Sequence, residues 1–171
     1  NKSSISGKLI KKFISVPQNF QPLKISFNAN GLLSNLQLNQ LIVKNQHLDF
    51  AANLNIENAL SSSFLKVSSN INNLTFTPSK LNSFLPNSLI EKIPKKLLAY
   101  EEVKVFGDVF YEGKSLTTNL NYSINNSNVI QKGVLTFQDN KPNQFNGTFN
   151  INNLSLKPID ERLDGLDAKL Y

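Results

Sequence analysis

Hydrophobic and polar residues alternate with a period of two along much of this chain. From Leu48 to Ile56, the residues Leu48, Phe50, Ala52, Leu54 and Ile56 fall on one side, and Asp49, Asn53 and Asn55 on the other. Successive side chains of a strand point to opposite faces, so this run predicts a strand with one face in the core and one in water. The same alternation sets Leu116, Leu120, Tyr122 and Ile124 against Thr117, Asn119, Asn121 and Ser123. It sets Leu23, Ile25, Phe27 and Ala29 against Lys24, Ser26, Asn28 and Asn30, and Phe145, Gly147, Phe149 and Ile151 against Asn146, Thr148 and Asn150. Gly31, Gly113 and the segment 139–143 read as the turns between such runs.

One-faced strands joined by short turns predict a mainly β, antiparallel sheet with one wet side; continuous apolar runs, the mark of a parallel sheet buried on both faces, do not occur. Val103–Tyr111 departs from the pattern. Val103, Val105, Val109 and Tyr111 are apolar on one face and Phe106 and Phe110 on the other, so both faces of that strand are expected to be covered. The predicted inward face comprises Ile25, Phe27, Leu48, Phe50, Leu54, Ile56, Leu116, Leu120, Tyr122, Ile124, Phe149 and Ile151.

Helical spacing occurs once. Leu81, Phe84, Leu85, Leu89 and Ile93 lie three and four apart, the stripe of an amphipathic helix. Ser79 can cap its start, Pro86 interrupts it with Asn87 or Ser88 as a second cap, and Pro94 ends it. One or two short helices are expected over Ser79–Leu98, with another short turn near Ile159–Leu163.

The chain also repeats itself. Asn70-Ile71-Asn72-Asn73-Leu74-Thr75-Phe76-Thr77-Pro78 recurs 80 residues later as Asn150-Ile151-Asn152-Asn153-Leu154-Ser155-Leu156-Lys157-Pro158, with six identities in nine. In both copies the apolar phase slips at the Asn pair, which predicts a β-bulge at equivalent places. Phe27–Leu38 and Phe110–Tyr122 match more loosely as strand, glycine turn, strand. The unit is four or five strands followed by a helical segment, with approximate units at 22–100 and 103–166, and Leu166–Tyr171 resembles the opening strand of a further unit. Stacked sheet units build an elongated body. The chain is therefore expected to be a segment, 1–171, of a longer repetitive protein, an expectation that also rests on its lack of any Met.

Composition narrows the chemistry. There is no Cys and one His, His47, so a disulfide framework, a thiolate metal site and a cysteine nucleophile are excluded, and a Ser-His-Asp triad is hard to build. His47 follows Gln46 at an expected hairpin turn. Glu101 and Glu102 are adjacent, so in a strand they would face opposite sides and could not act as an acid/base pair. Asp160, Glu161, Asp164 and Asp167 form no calcium-loop pattern. The net charge of +6 comes from 18 basic residues, of which only Arg162 is Arg, beside 26 Asn and 18 Ser. Lys92, Lys95 and Lys96 beside Ile93, Leu97 and Leu98 form a small basic-apolar patch, read as a solvated helix end favoured by the C-terminal dipole, with a membrane-surface contact as the alternative. The aromatic residues lie mostly among Leu and Ile instead of being set among basic residues, which speaks against nucleic acid as a partner. No enzyme activity, cofactor or metal is expected.

The glycine-opened strands, as in Ser6-Gly7-Lys8-Leu9 and Phe106-Gly107-Asp108-Val109, the leucine-proline helix Leu81-Asn82-Ser83-Phe84-Leu85-Pro86 and the Asn-rich polar face together resemble the AsmA-like and TamB-like envelope proteins of Gram-negative bacteria, with a Lys and Asn bias typical of the Bacteroidetes. The resemblance runs from about Ile5 to the end of the chain. It implies an elongated U-shaped sheet with an apolar interior, in a periplasmic protein anchored in the inner membrane through a segment outside this chain. It further implies a phospholipid or other acyl-chain lipid as the partner of the inward face, in traffic to the outer membrane, and in the TamB branch an outer-membrane assembly barrel protein. No catalytic residue comes with the family. The alternative is a β-sandwich binding module of a surface adhesin or carbohydrate-binding protein, which would seal the same face under a second sheet.

Overall fold

The computed structural model describes residues 21–61, 63–85, 87–91, 93, 95–124, 127–139, 141–155 and 167–170. Nine strands form one sheet in strictly sequential order: β1 (Lys24–Leu32), β2 (Asn35–Lys44), β3 (Leu48–Glu57), β4 (Lys66–Phe76), β5 (Val103–Glu112), β6 (Ser115–Ile124), β7 (Ser127–Gln138), β8 (Lys141–Ser155) and β9 (Asp167–Leu170). Every neighbouring pair is antiparallel, and β1 and β9 do not pair with each other, so the sheet is open. Alternation in the sequence supplies the one-faced strands, and hairpin turns join most of them to their neighbours, the β4–β5 connector being the long exception.

The turns follow local chemistry. At the β2–β3 turn the Asn45 carboxamide oxygen accepts the His47 N–H at 2.8 Å, so His47 sits in the hairpin as expected. Gly113 occupies the first position of the two-residue β5–β6 turn with φ of 59°. Two expected turns are displaced. Gly31 lies inside β1, and the connection is made by Leu33 and Ser34, because Leu32 still pairs with Asn35. The segment 139–143 is only partly turn, since Gln138 pairs with Lys141 and β8 begins there, with a bulge at Asn143.

The two Asn pairs do occupy equivalent bulges. On β4, Ile71 faces Gly107 and Leu74 faces Val105, three residues against two. On β8, Ile151 faces Leu170 and Leu154 faces Ala168, the same count. A third bulge, at Asn39-Gln40 on β2, sits between Leu38, opposite Leu54, and Leu41, opposite Ala52. It shares the apolar-Asn-amide-Leu pattern, with Gln40 at a φ of 54°. Each bulge moves the apolar side chains after it back to the face used by those before it.

The connector between β4 and β5 is helical but tighter than the stripe predicts. It consists of a 3-10 helix at Pro78–Ser83, one α-turn at Asn87–Ile90 and a 3-10 helix at Lys95–Ala99. Pro86 and Pro94 leave no run long enough for a stable α-helix. Ser79 is not the cap: Thr77 holds that position, without a side-chain capping bond, and Pro78 opens the helix. Leu81 is buried, whereas Leu89 is exposed, so only part of the stripe packs. The turn expected near Ile159–Leu163 and the Asp160–Asp164 cluster lie outside the described residues.

Candidate functional site

The register aligns one apolar residue from each strand in a single row. Ile25 pairs with Val43, Val43 with Phe50, Phe50 with Leu74, Leu74 with Val105, Val105 with Tyr122, Tyr122 with Val129, and Val129 with Ile151. The pairing continues to Leu170 on β9. At about 4.8 Å between strands, nine strands carry this row across roughly 38 Å. Parallel rows flank it. One runs Leu41, Ala52, Ile71, Gly107, Leu120, Gln131, Phe149, and another Leu36, Ile56, Val67, Tyr111, Leu116, Leu135, Phe145.

The register therefore brings the predicted inward residues to one face. Ile25, Phe50, Tyr122 and Ile151 stand in the central row, Leu120 and Phe149 in the next, and Ile56 and Leu116 in the outermost. Leu54 lies between these, two residues from Ile56 on β3. Leu48 and Ile124 lie at the connector end, opposite Phe76 and Val103. Phe27 shares the side of Ile25 on β1 and is partly exposed. Sequence reasoning missed Val43, whose phase is hidden by the β2 bulge, and Val129, because Gln131 and Gly133 interrupt the alternation of β7.

This face is thinly covered. Among the described residues no large side chain is fully buried. The buried apolar residues are Ala52, Leu81, Tyr100, Val103, Val105 and Val129, gathered chiefly toward the connector end. Away from that end the face opens, and Phe145 and Phe149 are exposed with ring centroids 5.4 Å apart. The Phe145 ring lies over Gly133 and Gly147, where a methyl group on either glycine would meet it.

One polar cluster interrupts the apolar surface. Gln131 is buried; its Nε2 donates to Thr118 Oγ1 at 2.6 Å and its Oε1 accepts from the Tyr122 hydroxyl at 3.4 Å. Thr118 Oγ1 in turn donates to the Gly133 carbonyl at 3.3 Å. These bonds let a carboxamide sit on an apolar face without an unpaired group. Burial pushes the Tyr122 and Tyr100 phenols above their ordinary value, because the phenolate is poorly solvated there. Both shifts favour the folded state below a pH of about 10 and lose that contribution as pH rises through the raised folded values. Ultraviolet titration of the four tyrosines is expected to show Tyr100 and Tyr122 ionising late, and Tyr122→Phe to remove one late step.

The opposite face is mostly polar, with Ile42, Ile130 and Val134 among its apolar positions and the largest departure on β5. Lys104, Asp108 and Glu112 alternate on β5 with Phe106 and Phe110, which are 48% and 40% exposed. The expectation that both faces of β5 are covered therefore fails: among the described residues no second layer lies there, and its apolar outer positions face solvent. Asp108 accepts from Asn70 Nδ2 at 2.8 Å, and Asn28 Nδ2 donates to Gln40 Oε1 at 3.1 Å, so neighbouring strands are also bridged by amides on this wet side. Compared with family models, with curated proteins and with solved structures, the chain finds no match in any of the three.

Proposed function

We propose that this chain is a non-enzymatic groove segment of an AsmA-like or TamB-like periplasmic protein, and that its apolar face holds the acyl chains of phospholipid moving between membranes. The observation that carries the reading is the unbroken apolar row from Ile25 to Ile151, on a face over which no second sheet lies among the described residues. Its roughly 38 Å length exceeds the ~30 Å hydrocarbon core of a bilayer, so an acyl chain fits along it whole. Transfer of hydrocarbon from water to such a face is favourable and non-directional, so one surface serves many lipids and lets them slide. A sandwich-type binding module would need a second, sealing layer, and none lies over this face among the described residues.

The test places a photocrosslinking residue at Phe50 or Leu120 in the full-length protein in cells. Covalent capture of phospholipid at both positions is expected. Leu120→Asp is expected to lower capture at Phe50 by about tenfold or more, because a carboxylate on the path faces a large desolvation cost against hydrocarbon. Circular dichroism of the variant separates blocked traffic from unfolding. A folded protein that captures no lipid at either position overturns the proposal.

A further inference from the structure

In a sequential antiparallel meander, the β1–β2, β3–β4, β5–β6 and β7–β8 connections all emerge at one end, opposite the helical connector. At that end the β1–β2 turn carries Leu32 and Leu33 at 75% and 55% exposure, and the β3–β4 loop carries Leu60 and Phe64 at 83% and 71%. These connections are fastened together. The Asn58 N–H donates to the Ser34 carbonyl at 2.9 Å and the Ala59 N–H to the Leu33 carbonyl at 3.2 Å. Inside the loop, Asn58 Nδ2 donates to the Phe64 carbonyl at 3.1 Å, and the Phe64 N–H to the Ser61 carbonyl at 3.2 Å. The four apolar side chains thus stand outward on a bonded backbone.

The charge pattern is equally specific. Neither 31–35 nor 58–65 contains a charged residue. Behind them Lys66 is paired with Glu112, and Glu57, Lys114, Asp139 and Lys141 complete a set of three acidic and three basic residues at this end.

We infer that this rim inserts into the headgroup boundary of a lipid bilayer, with Leu32, Leu33, Leu60 and Phe64 as the inserted groups. Side chains projecting from convex tips would each need a matching cavity in a protein partner, whereas a fluid bilayer accommodates them without one. The balanced charge suits a zwitterionic surface, so binding depends on apolar insertion and not on attraction to anionic lipid. Insertion brings the end of the apolar face marked by Tyr111, Leu116 and Leu135 beside the lipid. The inference does not require lipid in the groove.

The chain contains no Trp, so Phe64→Trp is a unique reporter. On phosphatidylcholine vesicles its emission is expected to shift to the blue and to be quenched by lipids brominated near the headgroup, equally at low and high salt. Phe106→Trp, on the outer face, is expected not to respond. The double variant Leu60→Asp/Phe64→Asp is expected to reduce vesicle cosedimentation about tenfold or more, while Leu89→Asp, in the connector at the other end, leaves it unchanged. Because all these positions are exposed, circular dichroism is expected to match the parent. Several results overturn the inference: no shift of Phe64→Trp on vesicles, an equal response from Phe106→Trp, binding abolished by salt, or a shift without vesicles accompanied by dimerisation in analytical ultracentrifugation. Lipid capture at Phe50 is read separately, so loss of either result does not imply loss of the other.

Discussion

Val105→Asp is expected to be the most damaging single substitution on the apolar face. Val105 is 6% exposed, in the middle of the central row between Leu74 and Tyr122. A carboxylate there loses its hydration and gains no cationic partner, a change that costs about 3–5 kcal/mol. Against a total stability of roughly 5–15 kcal/mol, that is enough to lower the thermal midpoint by about 10 °C or to abolish folding. The introduced acid would have its folded pKa raised by burial, so the penalty grows as pH rises above about 4 and shrinks on acidification. Lys104→Asn, one residue away on the wet face, is expected to change stability by no more than about 0.5 kcal/mol, because its ion pair with Glu102 is exposed. Thermal melts of the two variants across pH test the assignment of faces directly. Equal melting of Val105→Asp and the parent would mean that the row is not packed.

Gly107→Ala is expected to cost about 3 kcal/mol, far more than its one added methyl group suggests. Gly107 sits in β5 with φ of 132°, where L side chains rarely go. A Cβ there would also collide with the backbone carbonyl of Asn119 on β6, which cannot rotate away as a side chain could. The strand is central, paired to β4 on one side and β6 on the other, so a local shift would break the ladders on both. Gly113→Ala provides the contrast. Its φ of 59° is also left-handed, but no atom lies within 4 Å of the added methyl group, so only the backbone preference of about 1 kcal/mol is lost. Gly31→Ala meets the same kind of carbonyl collision, with Asn35, but at the β1–β2 hairpin end, where among the described residues only one ladder would be disturbed, and an intermediate cost is expected. Chemical denaturation of the three variants should rank them in that order.

The strands of this protein are legible because alternation is a local property. Leu48–Ile56 and Leu116–Ile124 carry their inward and outward residues in plain sequence, and β3 and β6 begin and end within a residue of those runs. The repeated Asn-Asn pair was equally legible, because a bulge leaves a phase slip that two copies make visible. The β2 bulge at Asn39-Gln40 leaves the same slip in a single, less regular copy, and Val43 was hidden behind it. The strand β7 was missed because Gln131 and Gly133 occupy inward positions. Each is accommodated by a contact from another strand: Thr118 and Tyr122 satisfy the amide, and the Phe145 ring lies over the glycine.

What the sequence by itself determined is the period, the side of each apolar residue and the places where the phase shifts. Those depend on a residue and its near neighbours. Whether the apolar face would be sealed or left open depends on how many layers the strands form, and alternation is identical in a sandwich and in a single sheet. Only the tertiary structure decided that all nine strands join one open sheet, with the central row continuous across it. For the same reason, Phe106 and Phe110 read as covered in sequence yet face solvent, since no second layer reaches that side of β5 among the described residues. The joining of the β1–β2 turn to the β3–β4 loop rests on backbone bonds between segments more than twenty residues apart. Such contacts leave no periodic trace, because backbone N–H and carbonyl groups are the same in every residue other than proline.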